Sequence, residues 1–200
     1  MDPKEICEKL KLDYANVLNI YPYGSKIYGT ANDASDDDYI IVFKTSLLPS
    51  GSFKDNAVSS DDRKIQGTCY SRGGFIDAIN NYQISALECI FLPEEKIIQK
   101  KMNFGRNKID QKELARKIIT TASSSWHFAK LSHRDRHYES CAKNIFHALR
   151  ILDFGIQIKE HKRIVDYTSS NELRSKIYST LPNPNDYYDT FIDLSNRIKS

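Results

Sequence analysis

Apolar residues recur with two different periods along this chain, and the change of period divides it. In the first hundred residues they come in short runs. Asn16 to Tyr23 (NVLNIYPY), Asp38 to Thr45 (DYIIVFKT), Lys64 to Ser71 (KIQGTCYS) and Ala86 to Leu92 (ALECIFL) read as strands. The second is nearly continuous in apolar residues and suits the middle of a sheet. Between them lie shorter helical signals: Pro3 to Tyr14, with Ile6, Leu10 and Leu12 as its apolar face, Lys26 to Thr30, and Phe75 to Tyr82 after a break at Gly73-Gly74. Ser46 to Asp62, rich in Ser, Gly, Asp and Pro, reads as a loop, and Pro93 stops the last strand.

From about Gln111 the period becomes 3.6. KELARKIITTASSSWHFAKLSHR and HYESCAKNIFHALRILDFGIQI are both predicted helices, with Gly155 as a helix end, and LPNPNDYYDTFIDLSNRIKS is a Pro-Asn turn followed by one more. The change of character across Asn103 to Asp110 sets a boundary. The expectation is an α+β catalytic domain over 1–105, a small mixed sheet flanked by helices, and a helical subdomain over 106–200.

Composition narrows this only slightly. Of 200 residues, 40% are hydrophobic and 28% charged, which suits a globular protein that needs no disulfide staples. The net charge of +3 hints weakly at a polyanionic partner. Nothing approaches the roughly 20 apolar residues of a membrane span, and the N-terminus lacks the pattern of a signal peptide, so a cytoplasmic protein is expected. Cys7, Cys69, Cys89 and Cys141 show no CxxC spacing and read as reduced, mostly buried thiols.

The candidate chemistry sits in YPYGSKIYGTANDASDDDYIIVF, Tyr21 to Phe43. Three adjacent aspartates at the entrance to an apolar strand repel one another and carry a desolvation cost unless something positive joins them. Side chains alternate along a strand, so Asp36 and Asp38 share a face and Asp37 opposes them. Two carboxylates on one face suit a hard divalent cation. Upstream, the Gly24-Ser25 turn offers backbone amides and a hydroxyl to phosphate oxygens. Together these are the parts needed for an in-line displacement at phosphorus.

The pattern G-S-x-x-x-G-T, then S-D-x-D heading an apolar strand, resembles the signature of the DNA polymerase β-like nucleotidyltransferase superfamily. Within it, the chain is similar to the minimal group found in bacteria, phages and large viruses. That group carries a later "LE-apolar-apolar-x-P" motif, here Leu87 to Pro93, and a basic helix to which KNIFHALRILDFG is similar. The resemblance implies a nucleoside triphosphate donor, with Gly24 and Ser25 holding the triphosphate and Lys26, Thr30 and Ser35 beside them. It implies Mg2+ or Mn2+ on Asp36 and Asp38. It also implies a third carboxylate on a neighbouring strand to activate the acceptor. KIQGTCYS contains no acid, so Glu88, on the strand read at Ala86 to Leu92, is the substitute, ahead of Asp77. The implied activity moves a nucleoside monophosphate to a hydroxyl and releases pyrophosphate. An RNA or tRNA end, a protein side chain or a small molecule such as an aminoglycoside could accept it. The alternatives are a nucleotide- or RNA-binding module of the same fold without turnover, and a nucleotidyltransferase toxin.

Two further groups carry positive charge. Lys143, His147 and Arg150 fall at i, i+4 and i+7 on one helical face, opposite Ile145, Leu149 and Leu152, and make either a phosphate-facing stripe or a solvated face. Lys130, His133, Arg134, Arg136 and His137 form a cationic cluster beside Trp126 and Tyr138, which could stack on a base or simply belong to a polar loop and a core.

Overall fold

The computed structural model describes residues 1–33, 35–44, 57–105 and 108–200, which form two compact units, Met1–Arg106 and Asn107–Ser200. The first contains helix α1 (Pro3–Lys9), strand β1 (Val17–Tyr23), the single-turn helix α2 (Ser25–Tyr28), strands β2 (Asp37–Phe43), β3 (Ala57–Ser59) and β4 (Ile65–Ser71), helices α3 (Arg72–Asn80) and α4 (Ile84–Phe91), and strand β5 (Gln99–Lys100). The strands form one mixed sheet in the order β3-β4-β2-β1-β5, with β2 and β4 parallel and the other pairs antiparallel.

Alternation along β2 sorts the core into two layers. Tyr39, Ile41 and Phe43 face α1, packing with Ile6, Cys7, Leu10 and Leu12, while Ile40 and Val42 face α3 and α4, packing with Phe75, Ala78, Ile79, Ala86 and Cys89. By the same alternation Asp38 lies on the α3/α4 face. Burial on both sides explains why this strand is apolar almost without interruption. All four cysteines are free and buried, and burial pushes the thiols up, Cys7 to about 11 and Cys69 to about 12.

Several expectations need correction. The first helix ends at Lys9, and Tyr14–Asn16 forms a separate 3-10 turn. Gly73-Gly74 do not interrupt anything: they lie in the first turn of α3, where the Ser71 hydroxyl caps the helix by accepting from Gly74 N (3.0 Å). The segment Ala86 to Leu92 is not a strand but most of α4, in which Ala86, Leu87, Glu88 and Cys89 are all buried. A short apolar run buried all round has no period to distinguish helix from strand. Within the expected loop at Ser46 to Asp62, residues 57–59 form β3, while 46–56 lie outside the described residues. Thr45, the expected end of the central strand, also lies outside them.

The second unit is built on two 24-residue helices, α5 (Gln111–Arg134) and α6 (Tyr138–His161), followed by α7 (Asn171–Ser179) and α8 (Tyr188–Lys199). Gly155 does not end a helix. It lies inside α6, where a Cβ would stand 2.6 Å from Ile118 Cγ2 and 2.5 Å from Ile198 Cδ1, so three helices meet on a missing side chain. Helix α6 ends instead at Lys162 in the left-handed conformation. Buried Gln157 then fastens the following loop: its Nε2 donates to Asp166 O and Ser169 Oγ, and its Oε1 accepts from Val165 N and Asp166 N. No helix among the described residues is long and apolar enough to cross a membrane.

Candidate active site

Strand β1 delivers Tyr23 beside Asp38 of β2, and Gly24 follows at once. Gly24 has φ +75° and ψ −150°, a conformation open essentially to glycine alone. Its side-chain-less face lies directly on Asp38: a Cβ there would overlap Oδ2 and stand 3.1 Å from Cγ. The chain then turns into α2, where Ile27 N and Tyr28 N donate to Gly24 O (3.0 and 3.3 Å). Thr30 N closes the turn on Ser25 O (2.9 Å). Ser35 is held in a tight turn with Asn32, its Oγ accepting from Asn32 N (2.8 Å).

Asp37 has a neighbour of its own, whereas Asp36 and Asp38 share one. Lys26, on α2, forms an ion pair with Asp37. Asp36 precedes β2, and its Oδ2 accepts from Gln66 Nε2 (2.8 Å). Asp38 is the register partner of that same Gln66 across the parallel β2–β4 pair and packs against Gly24. Gln66 is thus the common neighbour of Asp36 and Asp38. Among the described residues, no group of three or more His, Cys, Asp or Glu side chains converges on a metal-sized point.

Sequence reasoning passed over Gln66 because it is neutral. The available signal was its place in KIQGTCYS, the strand where an acid was sought. Glu88 lies elsewhere, on α4 rather than on a strand. It is 2% exposed, and its Oε2 accepts from the Tyr28 hydroxyl at 2.5 Å. Asp77 lies on α3, as expected.

Lys143, His147 and Arg150 belong to the second unit. Lys143 is exposed, whereas Arg150 is buried, so the three do not make an even solvated stripe. Arg150 lies over the rings of Phe146 and Phe154 (5.5 and 5.8 Å), and its Nη2 donates to His147 Nδ1 (3.1 Å). Burial, together with the charges of Arg150 and Lys143, pushes the His147 imidazole down to about 4. Trp126 is a core residue, 5% exposed and stacked on Phe191 (4.6 Å), so it is not a base-stacking platform. Arg134 pairs with Asp135, and His133 Nδ1 lies 3.0 Å from Pro182 O, so part of the cationic cluster is tied within its own unit.

No protein-family model and no curated protein matches the chain. Solved structures do. Spectinomycin adenyltransferase AAD(9) from Enterococcus faecialis, solved with ATP and spectinomycin, is 15% identical with a TM-score of 0.51, and the match covers 98% of this chain and 96% of that one. A nucleotidyltransferase-like protein from Exiguobacterium sibiricum 255-15 is 13% identical with a TM-score of 0.34, covering 93% of this chain and 70% of that one. At 15% identity the likeness to the adenyltransferase is one of fold alone. The chain has the α+β fold of a nucleotidyltransferase, a mixed sheet flanked by helices with a helical C-terminal part.

Proposed function

We propose that this chain is a nucleotidyltransferase that moves a nucleoside monophosphate from a triphosphate to a hydroxyl acceptor. The observation that carries the reading is the seat of Asp38: a carboxylate at the head of the central strand, packed on the bare backbone of Gly24, with Asp36 two residues before it and bonded to Gln66, the register partner of Asp38. In the reaction the acceptor oxygen attacks the α-phosphorus, the bond to the β-phosphate bridging oxygen breaks, pyrophosphate leaves and the acceptor loses its proton.

Asp36 and Asp38 fit a divalent cation, because the donor set is all oxygen and leaves further positions for phosphate oxygens. Mg2+ or Mn2+ held there would neutralise charge on the reacting phosphates. Gly24 and Ser25 cradle the triphosphate, and the missing Cβ at 24 lets that turn lie directly against Asp38. Lys26, Thr30 and Ser35 complete that edge, with Lys26 already neutralising Asp37. The domain reading is a catalytic unit over 1–105 and a helical subdomain over 106–200.

The structural neighbour that matches over nearly its whole length was solved with ATP and spectinomycin. That favours ATP as donor and a small polyhydroxylated acceptor over an RNA end. The burial of Trp126 points the same way, since it removes one of the two aromatics, half-buried Tyr138 being the other, on which an RNA strand could stack. A second reading, a nucleotide-binding module without turnover, draws on the neutral Gln66 at the β4 position facing Asp38.

The test is incubation with α-labelled ATP, Mg2+ or Mn2+, and separate panels of aminocyclitols and total RNA. Transfer that disappears in Asp36→Ala and Asp38→Ala proteins is the expected result. ATP binding with no transfer to any acceptor would instead support the non-catalytic module, and transfer surviving both substitutions would overturn the assignment of the site.

A further inference from the structure

Glu88 poses a problem the proposed reaction does not solve. A carboxyl group with 2% exposure, in a segment otherwise made of Ala86, Leu87, Cys89, Ile90 and Phe91, is expensive to bury unless a partner is built for it. Tyr28 is such a partner. Its hydroxyl donates to Glu88 Oε2 at 2.5 Å, at the short end of the O–H···O range, and both residues are buried. Sixty positions separate them, so the bond joins two elements that the chain itself does not hold together.

Those elements are α4 and α2. Helix α2 is only four residues long. A single turn fixes several dihedrals for one or two hydrogen bonds and does not persist by itself, so contacts outside the turn must hold it. Buried Ile27 and Tyr28 provide them. The Tyr28 ring also meets Tyr23 edge-on, with centroids 6.0 Å apart, and Tyr23 is the β1 residue paired with Asp38. Immediately before α2 stands Gly24, whose backbone rests on the Asp38 carboxylate. A continuous path therefore runs from Glu88 through Tyr28 and α2 to Gly24 and Asp38.

We infer that Glu88 is a positioning residue: a buried acceptor that, through the Tyr28 hydroxyl, clamps α2 onto α4 and so sets the Gly24-Ser25 turn against Asp38. It does not exchange a proton with the acceptor substrate. The inference rests on the nucleotidyltransferase reading for its consequence in catalysis, but the clamp itself does not depend on turnover.

The two roles require different chemistry. A clamp needs an oxygen that accepts from Tyr28, which the amide of Glu88→Gln supplies. An acid or base needs an ionisable carboxyl, which Glu88→Gln lacks and Tyr28→Phe retains. Amide hydrogen exchange over residues 24–30 is measured first, without ligand, on wild type, Glu88→Gln, Glu88→Leu and Tyr28→Phe. Steady-state kcat and KM for ATP follow.

The clamp predicts exchange at least about 10-fold faster in Tyr28→Phe and Glu88→Leu. It also predicts a rise in KM for ATP that outweighs any fall in kcat in those two, and Glu88→Gln restored to within about 3-fold of wild type in both measurements. Wild-type exchange in Tyr28→Phe would overturn the clamp. So would a kcat about 100-fold lower in Glu88→Gln with exchange unchanged, because that result assigns Glu88 to proton transfer. Should Tyr28→Phe fail to fold, Glu88→Gln still decides between the two. If wild type transfers no nucleotide, the exchange data still test the clamp while the catalytic reading fails separately.

Discussion

Replacing Gly24 by alanine is the sharpest perturbation the site offers, because two independent costs fall on one methyl group. The first is conformational. At φ +75° and ψ −150°, an L-residue sits in a region populated almost only by glycine, at about 1–3 kcal/mol. The second is steric: the new Cβ overlaps Asp38 Oδ2, with Cγ and Cβ of Asp38 at 3.1 and 3.2 Å, so the carboxylate or the turn must move. Overpacking of this kind costs a further ~1–3 kcal/mol. Together they predict a loss of about 2–6 kcal/mol. At ~4–8 °C per kcal/mol for a unit of this size, even the lower end of that loss is roughly 8–16 °C in Tm. The paired control is Gly73→Ala, in the first turn of α3, where a Cβ meets nothing within 4 Å. That change is neutral or stabilising by up to ~1 kcal/mol. Thermal melts followed by circular dichroism compare the two, and Gly24→Ala should also lose nucleotidyl transfer. A Gly24→Ala protein melting within about 2 °C of wild type would refute the close approach between the turn and Asp38.

Two other expectations concern charge. Gln66→Glu removes the donor to Asp36 and sets a third carboxylate beside Asp36 and Asp38. Without divalent ions its Tm should fall by a few degrees, since a hydrogen bond worth ~1 kcal/mol becomes a repulsion. With millimolar Mg2+ it should recover by more than wild type gains, and a variant whose melting ignores Mg2+ contradicts a cation seat on this face. His147 is held at about 4 in the folded protein, below its ordinary 6.5. The unfolded chain therefore takes up a proton between those values and the folded one does not. The stabilisation is complete above about pH 6.5, is lost as pH falls through the window, and stops changing below about 4. Urea unfolding at pH 7 and pH 5 should differ by roughly 2 kcal/mol more in wild type than in His147→Gln, and equal differences would contradict a neutral, half-buried imidazole.

What the sequence disclosed depended on distance along the chain. The turn at Gly24 and the strand after Asp36 were legible because turn chemistry and apolar period act among neighbours. Helix α4 was misread because seven apolar-rich residues buried all round carry neither period. Gly155 carried the usual mark of a helix end, yet it serves as a contact point for Ile118 and Ile198, residues far away in the sequence. The two bonds that organise the site, Gln66 to Asp36 and Tyr28 to Glu88, span thirty and sixty positions. Only the sheet register and the packing of α2 on α4 reveal them.

The junction at Ser71 carries one more implication. Strand β4 ends on the residue whose hydroxyl starts α3, with no linker between them. Lengthening Ile65–Ser71 by one residue would either turn position 66 toward the opposite layer or unseat the helix cap. Evolutionary insertions in this stretch should therefore arrive in pairs or not at all, and deletion scanning there should show a two-residue rhythm of tolerance.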